Sequence, residues 1–135
     1  MESFERTEDR FLFGIFTVQG DEHIGNGTVY DVNYDVGTFD YGFLVGEKDH
    51  WGRGAGLEAS LMLLKFGFDN LSMRKFFGGC YRNHHKSRFI VKRIGCTLEG
   101  CLTERFLLDG MPVDETIYSL SRDQWKGAKA KFEIE

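Results

Sequence analysis

An α/β fold with a mixed-direction sheet is what this sequence predicts, and three patterns predict it. Apolar and aromatic residues alternate in short runs as far as Gly46, as strands do. A helical stripe follows at Leu57, Leu61, Leu64 and Phe68. A second helix pattern, from Asn83 to Gly95, lies between further strand-like runs, which makes the order βββαβαββ, an α/β or α+β arrangement.

Residues 11–19, FLFGIFTVQ, are rich in Phe, Ile and Val, and the turn-forming QGDE after them leads into a second run from His23 to Tyr30. Together they predict an antiparallel hairpin. After the polar DVNYDVGT, the segment FDYGFLV at 39–45 places Phe39, Tyr41, Phe43 and Val45 on one side of a third strand that ends near Gly46. In the first helix Ala59, Met62, Leu63 and Phe66 widen the apolar stripe, so it is expected to be largely buried against a sheet. KFFGGCY at 75–81 is the fourth strand. Asn83 is a good N-cap for the second helix and Gly95 its left-handed C-terminal residue, with Lys92 and Arg93 complementing the dipole. Residues 96–108 and 115–121 read as two long strands joined by a turn around DGMPVD.

A length of 135 residues with 41% hydrophobic content suits one domain, and no repeat or linker divides it. The net charge of -4 argues against nonspecific nucleic-acid binding, which needs a basic footprint. MESFERTEDR is acidic where a signal peptide is basic and then apolar, and no apolar run is long enough to span a bilayer, so neither secretion nor membrane insertion is expected. Cys80, Cys96 and Cys101 are odd in number and lack CxxC spacing, which predicts reduced thiols in a cytoplasmic protein. His84 and His85, near Cys80, predict no metal site. Consecutive helical residues diverge by about a hundred degrees, and no fourth ligand has suitable spacing.

Between the third strand and the first helix lies EKDHWGRGAG, which sets Gly52, Gly54 and Gly56 where a strand hands over to a helix amino end. N–H groups in a first helical turn have no intrahelical partner, and glycines let the backbone approach an anion closely. Arg53 adds a charged donor. An ordinary flexible connection in a glycine-rich chain is the alternative. The loop has no GKS or GKT and no GxGxxG within a βαβ unit, which disfavours a nucleoside triphosphate or a dinucleotide.

WGRGAGLEA, the helix after it and NHHKSRFIVKRIGCTLEG resemble the GNAT acetyltransferases, in particular the branch that acetylates the N-termini of ribosomal proteins, over about residues 11–121. In that branch the pyrophosphate loop commonly reads WGKG before a TEA-like helix start. A second match is Asn83 with Ser87 four residues on, then Gly95 and the EG pair of GCTLEG, in which Cys96 stands where the family usually has Phe. A third is Asp114 and Tyr118 ahead of Trp125, in VDETIYSLSRDQW. The resemblance implies a mixed, largely antiparallel sheet flanked by helices, with the strands at 39–45 and 75–81 splayed apart. It implies acetyl-CoA as co-substrate, held by Phe43, Leu44, Val45, Trp51, Gly52, Arg53, Gly54, Ala55, Gly56, Asn83 and Ser87. Family members carry a strand and two helices ahead of the first hairpin, whereas ten residues precede Phe11. The expectation is a single domain over 1–135 without that piece, its acceptor side open or completed by a second subunit of a homodimer.

The implied reaction is direct attack of a primary amine on the thioester, which needs a base for the ammonium proton and an acid for the leaving thiolate. Ser87 shares a helical face with Ile90, Val91 and Ile94 and by resemblance meets the CoA sulfur; alternatively it serves backbone donors at the helix start. Glu99 is the implied base, with Glu47, Asp49 or a bound water as rivals. Asn83 caps its helix, contacts CoA, or does both, and Trp51 is either a lid over the adenine or a packing staple. The function implied is transfer of an acetyl group to a protein N-terminus, a small amine or an amino sugar. The alternative is a truncated, non-catalytic CoA-binding or protein-interaction module.

Overall fold

The alternation read in the first third of the chain produces three antiparallel strands, β1 (Phe11–Phe16), β2 (His23–Asn33) and β3 (Thr38–Val45). The computed structural model describes residues 9–46 and 54–135, and contacts divide the chain into two compact units, one running to Met73 and the other Arg74–Glu135. In the first unit Phe11, Phe13 and Ile15 turn inward from β1, while Val29 and Phe39 are fully buried. β2 runs past Tyr30 to Asn33 because a bulge, with Asp31 at φ 51, resets its register. The side chain of Asn33 then accepts the N–H groups of Asp35 and Val36 at 3.0 and 3.3 Å, closing the turn into β3.

Helix α1 (Ala55–Lys65) packs its buried Ala59, Ser60, Leu61, Leu63 and Leu64 on β2 and β3. It continues as a single π-helical turn, Phe66–Asn70. Met62 does not share the buried stripe: two residues from both Ser60 and Leu64, it falls on the far side of the helix and is 61% exposed. Two glycines let the helix sit close. A Cβ on Gly27 would stand 3.0 Å from the Leu63 side chain, and one on Gly67 would enter the ring of Phe39. Phe68 meets Phe39 edge to face at 5.2 Å, and Phe66 meets Phe11 and Phe13 at 5.1 and 4.9 Å. Each such pair adds about 1 kcal/mol beyond its buried area.

The second unit is an antiparallel sheet with β6 (Met111–Ser121) between β4 (Lys75–Tyr81) and β5 (Thr97–Leu108). β6 begins earlier than the sequence predicts. Asp109 and Gly110, at φ 52 and 79, form a two-residue hairpin turn, so pairing resumes at once with Met111 opposite Leu108. Pro112 lies beyond the end of β4, where β6 has β5 alone beside it in this unit and a missing N–H is tolerated.

Helix α2 (His85–Ile94) ends at Gly95, φ 104, as expected, but its N-cap is His84 and not Asn83. The imidazole Nδ1 of His84 accepts the N–H of Ser87 at 3.2 Å, doing what the Asn amide was expected to do. Helix α3 (Arg122–Lys131) has no counterpart in the sequence reading. It starts in a capping box: Ser121 Oγ accepts the Gln124 N–H at 3.1 Å, and Gln124 Oε1 accepts the Ser121 N–H at 2.8 Å. Trp125 and Ala128 are its buried residues, and Lys131 donates to the carbonyl of Arg93 at 2.8 Å, satisfying the carboxyl end of α2. Among the described residues no helix is long and apolar enough to cross a membrane.

Gly67→Ala is expected to destabilise the protein. The helical advantage of Ala, about 1 kcal/mol, is outweighed by overpacking against the buried Phe39 ring, which costs ~1–3 kcal/mol. Chemical denaturation should show a net loss of up to about 2 kcal/mol. Gly127→Ala in α3, where a Cβ meets nothing within 4 Å, should be neutral or stabilising in the same assay.

Candidate functional site

The residues expected to hold a donor begin at the end of β3. Phe43 is half-buried on the α1 side, Leu44 points the other way at 74% exposure, and Val45 is buried opposite Gly25. A Cβ on Gly25 would collide with the carbonyl oxygen of Leu44, so glycine there is what lets β2 approach the end of β3. Gly54 caps α1 in the left-handed conformation, φ 80, and its carbonyl accepts the Glu58 N–H at 2.9 Å. Among the described residues no side chain caps the amides that follow, at Ala55 and Gly56, and a Cβ on Gly54 meets none of them within 4 Å. A helix amino end of this kind can receive an anion. Trp51, Gly52 and Arg53, together with the rival bases Glu47 and Asp49, lie outside the described residues.

In the second unit, Ser87 sits half-buried in the first turn of α2. Its N–H is served by His84, and its hydroxyl makes no hydrogen bond to any described residue. The hydroxyl is therefore not consumed as a helix-start cap. Asn83, exposed, accepts the His85 N–H through its backbone carbonyl at 3.1 Å, and its side chain is not engaged in capping. The next residue of α2, Arg88, ties the helix down: its Nη1 donates to the Arg82 carbonyl at 2.8 Å and its Nε to the buried Tyr118 hydroxyl at 3.4 Å.

Glu99 is bound differently from what a lone base would show. Its Oε2 accepts a 2.6 Å hydrogen bond from Ser119 and a 3.2 Å one from Lys75. The Ser119 hydroxyl, then Lys75, hold the carboxyl below the usual carboxylate range. Because successive residues of a strand point to opposite faces, Tyr118, bonded to α2, and Ser119, bonded to Glu99, mark opposite faces of the β4–β6–β5 sheet. Ser87 and Glu99 thus stand on different sides of it. Asp114 likewise sits below its ordinary range, through the Glu104 N–H at 2.8 Å and Arg82 at 3.2 Å.

Burial pushes the Cys96 thiol up to about 12, so it is protonated and inert at neutral pH. All three cysteines are free thiols. Among the described residues no group of three or more His, Cys, Asp or Glu comes together around a metal position. A shallow hollow of about 490 Å³, lined by Asp9 and the bulged end of β2, contains none of the expected residues. The Arg88–Tyr118 tie and the Ser119–Glu99 bond escaped the sequence reading, because both depend on strand register and not on spacing.

With this geometry in view, comparison with known proteins identifies the class. The sequence profile of the acetyltransferase (GNAT) domain matches residues 1–97, and the chain belongs to that family of acyl-transferring enzymes. It is 28% identical over 126 residues to the SPbeta prophage-derived uncharacterized N-acetyltransferase YokL of Bacillus subtilis, covering 93% of this chain and 68% of that protein. It is 29% identical over 82 residues to the "Putative ribosomal N-acetyltransferase YdaF" of the same organism, covering 61% of this chain and 45% of that one. Its fold matches a solved chimera of the spermidine N-acetyltransferase SpeG from Vibrio cholerae and hSSAT with a TM-score of 0.81 at 18% identity, over 89% of this chain and 71% of the other. The chain spans 45–68% of the two curated relatives.

Glu99 contributes stability when ionised, since its carboxyl lies below its unfolded value of about 4.3. That contribution is present above the unfolded value and is lost as pH falls through the folded one. Glu99→Gln should therefore flatten the loss of stability on acidification, and midpoints of denaturant unfolding from pH 7 down to pH 3 check it. A mutant curve parallel to that of the wild type would show the Ser119 and Lys75 bonds to be idle.

Proposed function

We propose that the protein is an acetyl-CoA-dependent N-acetyltransferase that acetylates a primary amine by direct attack within a ternary complex. The observation that carries this reading is the amino end of α1 at Gly54, uncapped and open among the described residues, in a chain of the GNAT family. The proposed contacts to acetyl-CoA are the pyrophosphate loop, Trp51, Gly52, Arg53, Gly54, Ala55 and Gly56, the strand end Phe43, Leu44 and Val45 for the pantetheine arm, and Asn83 and Ser87. Acetyl-CoA brings the activated thioester carbonyl. Glu99, on the other side of the β4–β6–β5 sheet from Ser87, takes the acceptor ammonium's proton through water and not directly, so that the neutral nitrogen can form the C–N bond. As the C–S bond breaks, the Ser87 hydroxyl donates to the departing thiolate. The unengaged state of that hydroxyl supports this role.

A protein N-terminus is the acceptor suggested by the name of YdaF, and a polyamine the one suggested by that of SpeG. The cytoplasm, where three free thiols stay reduced, is the proposed setting. Self-association into a homodimer is supported by the hairpin end of β5 and β6, which exposes Leu107 and Met111 at 73% and 66%.

Gly54→Asp is expected to abolish acetyl-CoA binding in isothermal titration by setting a negative charge at the pyrophosphate. Ser87→Ala should bind normally and turn over about 100-fold more slowly, within the usual range for an acid–base group. Unchanged CoA affinity in Gly54→Asp would sink the loop assignment, and release of no CoA with any amine would leave a binding module.

A further inference from the structure

The outward face of α2 carries a pattern that the proposed mechanism does not use. Phe89 stands at its centre, 64% exposed. Its neighbours on the helix surface, three and four residues away in each direction, are His85, Lys86, Lys92 and Arg93, all exposed. Every exposed residue of the helix is thus either this ring or one of the groups around it, and α2 contains no Asp or Glu. Two residues along a helix turn by about 200°, so the face points away from Ser87 and from the buried Val91.

Dipole complementarity accounts for only part of this charge. Lys92 and Arg93 lie in the last turn, where cations are favourable, but Lys86 lies in the first turn, where a cation opposes the dipole and Asp or Glu is the usual choice. Such a departure from a local rule marks a surface kept for another purpose. Lys92 and Arg93 make no ion pair with any described residue. Lys131 of α3, which donates to the Arg93 carbonyl at 2.8 Å, adds a further cation beside the carboxyl end. The whole-chain charge of -4 conceals this surface because it is unevenly divided. Residues 74–135 hold twelve Lys and Arg against eight Asp and Glu, and residues 1–73 hold five against thirteen.

An exposed ring with cations on both sides along one helix face suits a single-stranded nucleic acid, in which a base stacks on the ring while the phosphates before and after it meet the cations. We infer that the outward face of α2 binds single-stranded nucleic acid, with Phe89 stacking one base and Lys86, Lys92 and Arg93 meeting the adjoining phosphates. An acidic protein segment uses the cations and leaves the ring without a planar partner. This face lies outside the proposed acetyl transfer and does not depend on it.

The test titrates the full chain into a fluorescein-labelled oligouridylate of about fifteen nucleotides, with and without saturating acetyl-CoA, and follows the anisotropy. Three phosphate contacts give a slope of about -2 in log K against log salt, so binding should weaken roughly 20-fold between ~50 and ~200 mM salt. Phe89→Ala should weaken binding roughly tenfold and keep that slope, since a lost stack releases no counterions. Lys92→Gln combined with Arg93→Gln should lower the slope to about -0.7. All three positions are exposed, so the variants should fold, and an unchanged thermal midpoint checks it. A wild type that leaves the oligonucleotide unbound at ~50 mM salt overturns the inference, as does equal affinity in Phe89→Ala. A poly-glutamate peptide that binds as tightly as the oligonucleotide overturns it in favour of an acidic protein partner. Displacement of the oligonucleotide by acetyl-CoA overturns it as well, because the ring would then belong to the nucleotide end of the donor.

Discussion

The ring of Phe39 occupies the space that a side chain at Gly67 would need, and the seating of α1 follows from that fit. A helix can lie this close to a sheet only where one surface lacks side chains, and here each contributes: Gly67 from the helical side, Gly27 from β2 beneath Leu63. Phe68, fully buried, closes the contact against Phe39. Fixing the carboxyl end of α1 in this way fixes its axis, and with it the direction in which the uncapped amides after Gly54 point. An anion site made of backbone has no side chain to adjust, so its precision must come from the packing of the whole helix.

Much of this was legible. The runs at 39–45 and 75–81 became β3 and β4 almost residue for residue, because period-two burial and flanking turn residues agree there. Gly95 ended its helix as glycine in the left-handed region does. The GNAT family and the α/β class followed from motifs the profile match upholds. The misses have local causes. Pro112 reads as a loop residue unless the two-residue Asp109–Gly110 turn is seen to restore pairing before it. Helix α3 buries little beyond Trp125 and Ala128, too few for a periodic stripe, and its one sequence signal was the Ser121 to Gln124 box. His84 displaced Asn83 as cap because a ring nitrogen accepted the Ser87 N–H, a choice that residue preferences do not foresee.

The contacts that escaped the sequence share one property. Glu115 over Gly79, Ser119 on Glu99 and Arg88 on Tyr118 are all set by which residue stands beside which across β6, and a shift of one residue would send every partner to the other face. Spacing along the chain carries no record of that register. Motifs such as WGRGAG or NHHKS are legible because their chemistry is local, whereas the carboxylates of a sheet face take their meaning from neighbours distant in sequence.

Strand β6 therefore divides the chemistry of the second unit. Its even-numbered residues Thr116, Tyr118 and Leu120 are buried, Tyr118 accepting a hydrogen bond from Arg88 of α2, and its odd-numbered Glu115 and Ser119 serve the opposite face. The two carboxylates on that face differ in how they are satisfied. Glu99 is held ionised by Ser119 and Lys75, which makes it weakly basic, since its partners stabilise the charged form. Glu115 has one oxygen 4.0 Å from Arg105 Nε and the other over Gly79, without a donor among the described residues. The same side-chain chemistry is thus bonded at one place and partly open at the next, because the residue that stands beside each carboxylate is set by strand register.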